Sequence, residues 1–332
     1  MEPPRLSLLT GGTGFVGAHL SRALVERGGR VRCLVRSDSR LDNLEGLDVE
    51  LVLGDLRDPE SLRRAVAGCT EVYHCAADYR LWAPDPAQIY ETNVEGTRNV
   101  LEAAATAGAR VVYTSSVGAL GLHSDGTSAD ENTPVTVDDM IGHYKRSKFL
   151  AEREAESAAA AGQHVVIVNP STPIGDLDIK PTPTGQVIVD FLNRKVPAYV
   201  DTGLNLVDVR DVARGHLLAA EHGRPGEKYI LGNRNLTLKQ IFNLLSGLTG
   251  LPSPRIKLPH AVPLAFAYLS ELWAGLRGKP PRVSPESVRM SKKRMFFDAS
   301  KAVRELGLPQ SPVEGALERA VRWFTDLGYV VR

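Results

Sequence analysis

Tyr144 and Lys148 stand four residues apart in the segment Tyr144-Lys145-Arg146-Ser147-Lys148 of a 332-residue chain. On a helix that spacing puts both side chains on one face. An ammonium about 4 Å from a phenol is worth about 4 kcal/mol at an effective dielectric of about 20. That equals about three pKa units, enough to bring a tyrosine from about 10 towards 7. The expectation is that Lys148 lowers the Tyr144 pKa, so that the phenol exchanges a proton with a substrate oxygen near neutral pH. Ser116, closing the run Tyr113-Thr114-Ser115-Ser116, is placed to polarise the same oxygen, with Ser115 as its rival. Tyr and Lys at this spacing also occur on solvated helices, so the pair gains meaning only from what surrounds it.

A second pattern supplies that context. Thr10-Gly11-Gly12-Thr13-Gly14-Phe15-Val16-Gly17 follows a strand-like run and opens a helix-like one. Glycines let the chain turn sharply while its amides, with the helix N-terminus behind them, approach a pyrophosphate. In that strand–turn–helix setting the pattern is a dinucleotide fingerprint. The residue that reads the ribose belongs at the end of the second strand, where Arg36 stands. A guanidinium there pairs with a 2′-phosphate, with Ser37 and Arg40 as helpers, so NADP is expected. NAD is the alternative, with Asp38 as its ribose ligand. Asp55, in Gly54-Asp55-Leu56, is expected at the adenine edge or, equally, as a turn-forming acid.

The elements that must carry these residues alternate along the first half of the chain. Strands are expected at 6–10, 31–36, 49–54, 71–77, 110–116 and 165–171. Helical spacing occupies 18–26, 58–67, 93–107 and 144–161. Strands apolar on both faces and separated by helices imply an α/β fold, a doubly wound parallel Rossmann sheet with helices on both faces. Prolines at 170, 173, 181 and 183 break the rhythm. The division expected is a dinucleotide-binding domain at 1–172 and a smaller, mainly helical C-terminal substrate lobe at 173–332. Some segments of the second part return to the first. Later elements are a strand at 228–231, a capped helix from Thr237 and a terminal helix at 312–327.

Together these residues resemble the extended short-chain dehydrogenase/reductases of the NAD-dependent epimerase/dehydratase type, over most of the chain. Gly11, Gly14 and Gly17 match that family's cofactor loop; Ser116, Tyr144 and Lys148 match its Ser-Tyr-Lys triad, and Asn93 its fourth-helix asparagine. The resemblance implies hydride transfer at nicotinamide C4. Thr10, Phe15, Val16, Leu56, Ala76, Ala77, Asn93, Asn169, Pro170 and Ser171 then border the cofactor, the last three beside the nicotinamide carboxamide. Asn169-Pro170-Ser171-Thr172-Pro173-Ile174-Gly175 and Pro181-Thr182-Pro183-Thr184-Gly185 resemble dihydroflavonol-reductase-like members. With 76–84 and 199–205 they are most similar to bacterial hopanoid-associated sugar epimerases. That likeness implies a small-molecule or hopanoid-linked substrate, with ketone or aldehyde reduction and a redox-silent dinucleotide sensor as alternatives. Gly118 departs from the hydroxyl residue that sugar epimerases often carry there, Asp176 from an expected proline, and Cys75 from a small apolar residue.

Composition narrows the remaining classes. Forty basic against thirty-nine acidic residues give a net charge of +1, no electrostatic footprint for nucleic acid. Three cysteines, Cys33, Cys69 and Cys75, make no disulfide framework and fit a reducing cytoplasm. No histidine pairs at zinc-site spacing, so no metal is expected, and His74 reads as a satisfied core residue. Tyr79, Arg80 and Trp82 are expected either on a substrate loop or in lobe packing. The segment 261–276 is too short and interrupted for a span. Val262, Leu264, Phe266, Leu269, Trp273 and Leu276, followed by basic residues from Arg277 to Arg294, are expected to close the lobe, with peripheral membrane contact as the second reading. A homodimer is compatible with these features.

Overall fold

The computed structural model describes residues 5–80, 83–265, 267–268, 270, 288–289 and 291–331. Its centre is a seven-stranded sheet in the order β10-β6-β5-β4-β1-β2-β3, every pair parallel. The strands are β1 (Leu6–Thr10), β2 (Arg30–Val35), β3 (Glu50–Leu53), β4 (Glu71–His74), β5 (Arg110–Thr114), β6 (Val165–Pro170) and β10 (Lys228–Leu231). The strands expected at 71–77 and 110–116 end two or three residues early. That frees Cys75–Ala77 and Ser115–Ser116 as loops at the sheet's C-terminal edge, where ligands bind in this fold.

Both faces are covered, as the apolar strands require. On one side α1 (Phe15–Glu26), α7 (Val209–His222) and α9 (Ser300–Leu306) pack through Leu20, Leu24, Val212, Leu217, Ala302 and Leu306. On the other lie α2 (Pro59–Val66), α4 (Gly96–Ala107) and α5 (Gly142–Ala160), with Leu62, Val100, Ala104, Ala151 and Ala155 in that core. Asp58 caps α2 ahead of Pro59, and Gly108, at φ 66, ends α4. Before α4, the short α3 (Ala87–Tyr90) runs into a π-helical turn at Glu91–Glu95.

A smaller lobe has a separate core, built from α6 (Pro183–Leu192), α8 (Leu238–Thr249) and α10 (Val313–Asp326). Phe191 and Phe242 stack there at 5.6 Å. Thr237 and Gln240 form the capping box that starts α8. Besides helices the lobe carries a three-stranded sheet of β7 (Thr172–Ile174), β9 (Gly203–Asp208) and β11 (Arg234–Thr237), and the pair β8 (Ala198–Val200) with β12 (Ile256–Leu258). The strand expected at 228–231 is β10, which with α7 returns to the large sheet. Residues 261–265 are helical and Val262 is exposed. Phe266, Leu269, Trp273, Leu276, Arg277 and most of the basic stretch lie outside the described residues. Among the described residues no helix is long and apolar enough to cross a membrane.

Candidate functional site

β1 delivers the chain to Gly11, which adopts φ +76. A Cβ there would stand 2.7 Å from the Ala76 amide nitrogen, and one on Gly17 would stand 2.0 Å from the Gly11 carbonyl oxygen. The turn, the start of α1 and the loop after β4 therefore touch, and a side chain would force them apart. Gly14 is the N-cap of α1; no side chain caps this helix and no acid sits in its first turn. Its free N–H groups and positive end form a cradle suited to an anion, beside half-buried Phe15 and Val16. These features fit the pyrophosphate of a dinucleotide.

Thr10 lies beneath that cradle instead of facing it. Its hydroxyl is 2.7 Å from His74 Nδ1 and accepts the Ala76 N–H at 3.2 Å, locking the end of β4 to β1. His74 reaches Thr97 Oγ1 at 3.1 Å with its other nitrogen, and burial lowers its pKa to about 3. It is a satisfied core histidine. Cys33 is buried, and Cys75 Sγ lies 3.0 Å from Thr114 Oγ1. Among the described residues no cluster of His, Cys, Asp and Glu could hold a metal ion.

At the cofactor's expected ribose end, Arg36 lies 3.2 Å from Asp38 and both side chains are exposed. Asp55 accepts from the Arg57 side chain at 3.0 and 2.8 Å and from its backbone N–H at 2.9 Å. The guanidinium holds its carboxyl down to about 2. These bonds serve the turn-forming role. Leu56 is buried against Gly96. Asn93, expected at the cofactor, is buried in the π-helical turn and engaged within the protein. Its Oδ1 accepts the Asp78 N–H at 2.7 Å, and its Nδ2 donates to Asp78 O and Ser147 Oγ, each at 2.9 Å. It clamps the loop that carries Ala76 and Ala77 to α5.

The two serines separate cleanly. Ser115 is buried and its hydroxyl donates to Glu152 at 2.5 Å. Ser116 is partly exposed, and its hydroxyl accepts the Gly118 N–H at 3.0 Å. Tyr144 belongs to the first turns of α5 and meets Ser116. Its pKa is raised by burial, against the lowering effect of the Ser116 hydroxyl. The expected lowering by Lys148 is therefore corrected. Lys148 donates to Tyr113 Oη at 3.0 Å and to Thr114 O at 2.8 Å, so its ammonium is directed at β5 and not at the phenol of Tyr144. Burial lowers the Lys148 pKa to about 8, with the Glu152 charge acting the other way.

Glu152 was not singled out by sequence reasoning. It continues the i, i+4 face of Tyr144 and Lys148, and that spacing was the available signal. Fully buried, it also accepts from Asn169 Nδ2 at 2.7 Å and lies 3.4 Å from Lys228 Nζ. Asn169, expected beside the nicotinamide, is buried below the surface and donates to Ser116 O at 3.1 Å. Ser171 is the partly exposed member of that trio, and its buried Oγ, like Asn169 Oδ1, has no hydrogen-bond partner. Tyr79 is half exposed, and Arg80 pairs with Asp78 at 2.5 Å; Trp82 lies outside the described residues. Asp176 joins Arg210 at 3.1 Å, Arg319 at 3.5 Å and His19 at 3.8 Å, tying the lobe to α1.

Comparison with known proteins agrees with this geometry. The sequence pattern of the NAD dependent epimerase/dehydratase family matches residues 7–232. The chain is 53% identical over 327 residues to a putative dihydroflavonol 4-reductase from Synechocystis sp., covering 97% of this chain and 95% of that one. It is 36% identical to sterol demethylase protein B from Methylococcus capsulatus, covering 98% and 99%. Among solved structures, a nucleoside-diphosphate-sugar epimerase from Pseudomonas aeruginosa superposes with TM-score 0.82 at 28% identity, covering 98% of this chain and 99% of that one. Glycine cradle, seven-stranded parallel sheet and sequence together place the chain in the NAD dependent epimerase/dehydratase family, as a nicotinamide-dinucleotide-dependent oxidoreductase or epimerase of the short-chain dehydrogenase/reductase superfamily.

Proposed function

We propose that the chain is an NADP-dependent carbonyl reductase in which Ser116, Tyr144 and Lys148 act on a ketone or aldehyde. The carrying observation is that Ser116 and Tyr144 meet at the open edge of the sheet while burial keeps the phenol protonated. Gly11, Gly14, Gly17 and the α1 amides would hold the pyrophosphate, Arg36 the 2′-phosphate, and Ser171 the nicotinamide side. The bound dinucleotide supplies hydride to the carbonyl carbon. Ser116 and Tyr144 hold the carbonyl oxygen, and Tyr144 Oη hands it a proton as the carbon–oxygen double bond becomes single. A phenol held in its neutral form suits proton donation, the direction of net reduction. Lys148 steadies this edge through Tyr113 and Thr114 O.

Epimerisation would need the same phenol to take a proton before returning it, and Gly118 offers no hydroxyl for a sugar. The relatives named as reductases support the one-way reading. A hopanoid-linked or other terpenoid ketone falls within the proposed class, supported by the relative named sterol demethylase protein B. Tyr144→Phe tests the proposal: cofactor affinity by calorimetry stays, while ketone-dependent NADPH oxidation is lost. Activity within about twofold of wild type, well under the 10²-fold or more of a general acid, would sink the assignment of Tyr144 as proton donor, and cofactor binding with no ketone turnover by the wild-type protein would favour a redox-silent sensor.

A further inference from the structure

Past β5 the chain turns through Gly118 and meets the start of α5 around a cavity of about 60 Å³. Leu122, Val135, Met140 and Ile141 line it together with two amines, Lys145 and Lys293, and the surface it presents is mostly polar. The cavity adjoins the reacting groups on two sides. Lys145 follows Tyr144 directly, and the Gly118 N–H donates to Ser116 Oγ at 3.0 Å. At Gly118 the two sides come together: a Cβ there would stand 3.3 Å from Ser116 Oγ and 3.6 Å from Lys145 Cγ.

Neither ammonium has a carboxylate within salt-bridge distance among the described residues; Lys145 Nζ lies 3.8 Å from Met295 Sδ. Asp139, which also lines the cavity, accepts at 2.9 Å from both the N–H and the hydroxyl of Thr136, bonds that hold its pKa down, and it feels the Lys293 charge from beyond ion-pair distance. Two like charges lining one cavity are unfavourable alone and favourable around an anion. Burial and the Lys293 charge together lower the Lys145 pKa to about 8.

We propose that this cavity binds an oxyanion of the substrate, a carboxylate or phosphate carried close to the reacting carbonyl, on Lys145 and Lys293. The inference rests on the carbonyl-reductase reading and narrows its substrate to a carbonyl compound bearing an acidic group. An amide or alcohol would leave both ammonium groups unpaired, whereas one oxyanion bridges them.

Two measurements test it. In the whole protein, limited reductive methylation read by peptide mass spectrometry reports the accessibility of each lysine. Malonate (for a carboxylate) or inorganic phosphate (for a phosphoryl group) should protect Lys145 saturably, and Lys293→Met, at an exposed position, should abolish the protection. Methylation of Lys145 unaffected by either anion overturns the proposal. In the second measurement a keto acid is compared with its methyl ester. The acid should lead by roughly ten- to hundredfold in kcat/KM, the worth of a hydrogen bond to a charged group. Lys145→Met should erase that lead. An ester turned over as well as the acid by the wild-type protein contradicts the inference. Saturable protection without turnover of any ketone supports the anion site and overturns the reductase reading instead.

Discussion

Replacing Glu152 with Gln removes one buried negative charge and keeps the shape of the side chain. Lys148 stands one helical turn away, where Cβ atoms are about 5–6 Å apart. At 6 Å and an effective dielectric of about 20, the lost attraction is about 3 kcal/mol. That corresponds to about two pKa units. Lys148, at about 8 in the intact protein, should fall to about 6 on that shift. The sign is fixed by the chemistry: chemistry needing the ammonium is present below the pKa and lost as pH rises through it. Turnover should decline through about pH 8 in the wild-type protein and nearer pH 6 in Glu152→Gln. The variant also weakens the buried bonds from Ser115 and Asn169, at a cost of about 1–3 kcal/mol. For a chain of this size that is a fall in Tm of several degrees, at about 2–4 °C per kcal/mol. A pH–rate series following NADPH oxidation, with thermal unfolding of the same samples, reads both effects. A lowered Tm with an unchanged pH profile would refute the coupling of Glu152 to Lys148 and leave Glu152 a purely structural residue.

Gly17→Ala places a Cβ 2.0 Å from the Gly11 carbonyl oxygen. The turn must move, and at about 1–3 kcal/mol of overpacking cofactor affinity should drop roughly five- to a hundredfold in a calorimetric titration; unchanged affinity would remove the cradle from cofactor binding. Arg36→Asp should shift preference from NADP towards NAD by roughly ten- to a hundredfold, the loss of a charged hydrogen bond. Titrating both cofactors at equal salt checks this, and tighter NAD binding by the unmutated protein would assign the ribose to Asp38.

The residues readable before folding were those whose role is local. The glycine turn must be glycine because its own backbone crowds it. Tyr144 and Lys148 share a face through helix geometry alone. The apolar strands announced a sheet covered on both sides. What escaped depended on partners distant in the chain. Lys148 turns to Tyr113 and Thr114, which lie 35 and 34 residues upstream, so the lowering worked from spacing is missing and burial raises the Tyr144 pKa instead. Thr10 and Asn93, expected at the cofactor by resemblance, also hold the loop after β4 through bonds that no spacing shows, and Asn169 holds Ser116 O while its Oδ1 has no partner. Strands of three or four residues such as β7 and β11 are too short to show a period, so the lobe read as helical. Lys145 and Lys293 meet at one cavity although 148 residues separate them.

The account stands most directly on where the hydrogen goes. Wild-type protein given NADPH deuterated at nicotinamide C4, with a ketone it turns over, should place one deuterium on the carbinol carbon of the product, read by mass spectrometry. Tyr144→Phe should bind the same cofactor and form no labelled alcohol. Deuterated alcohol formed by Tyr144→Phe at the wild-type rate, or a product carrying no deuterium at that carbon, would contradict proton donation by Tyr144 alongside hydride transfer.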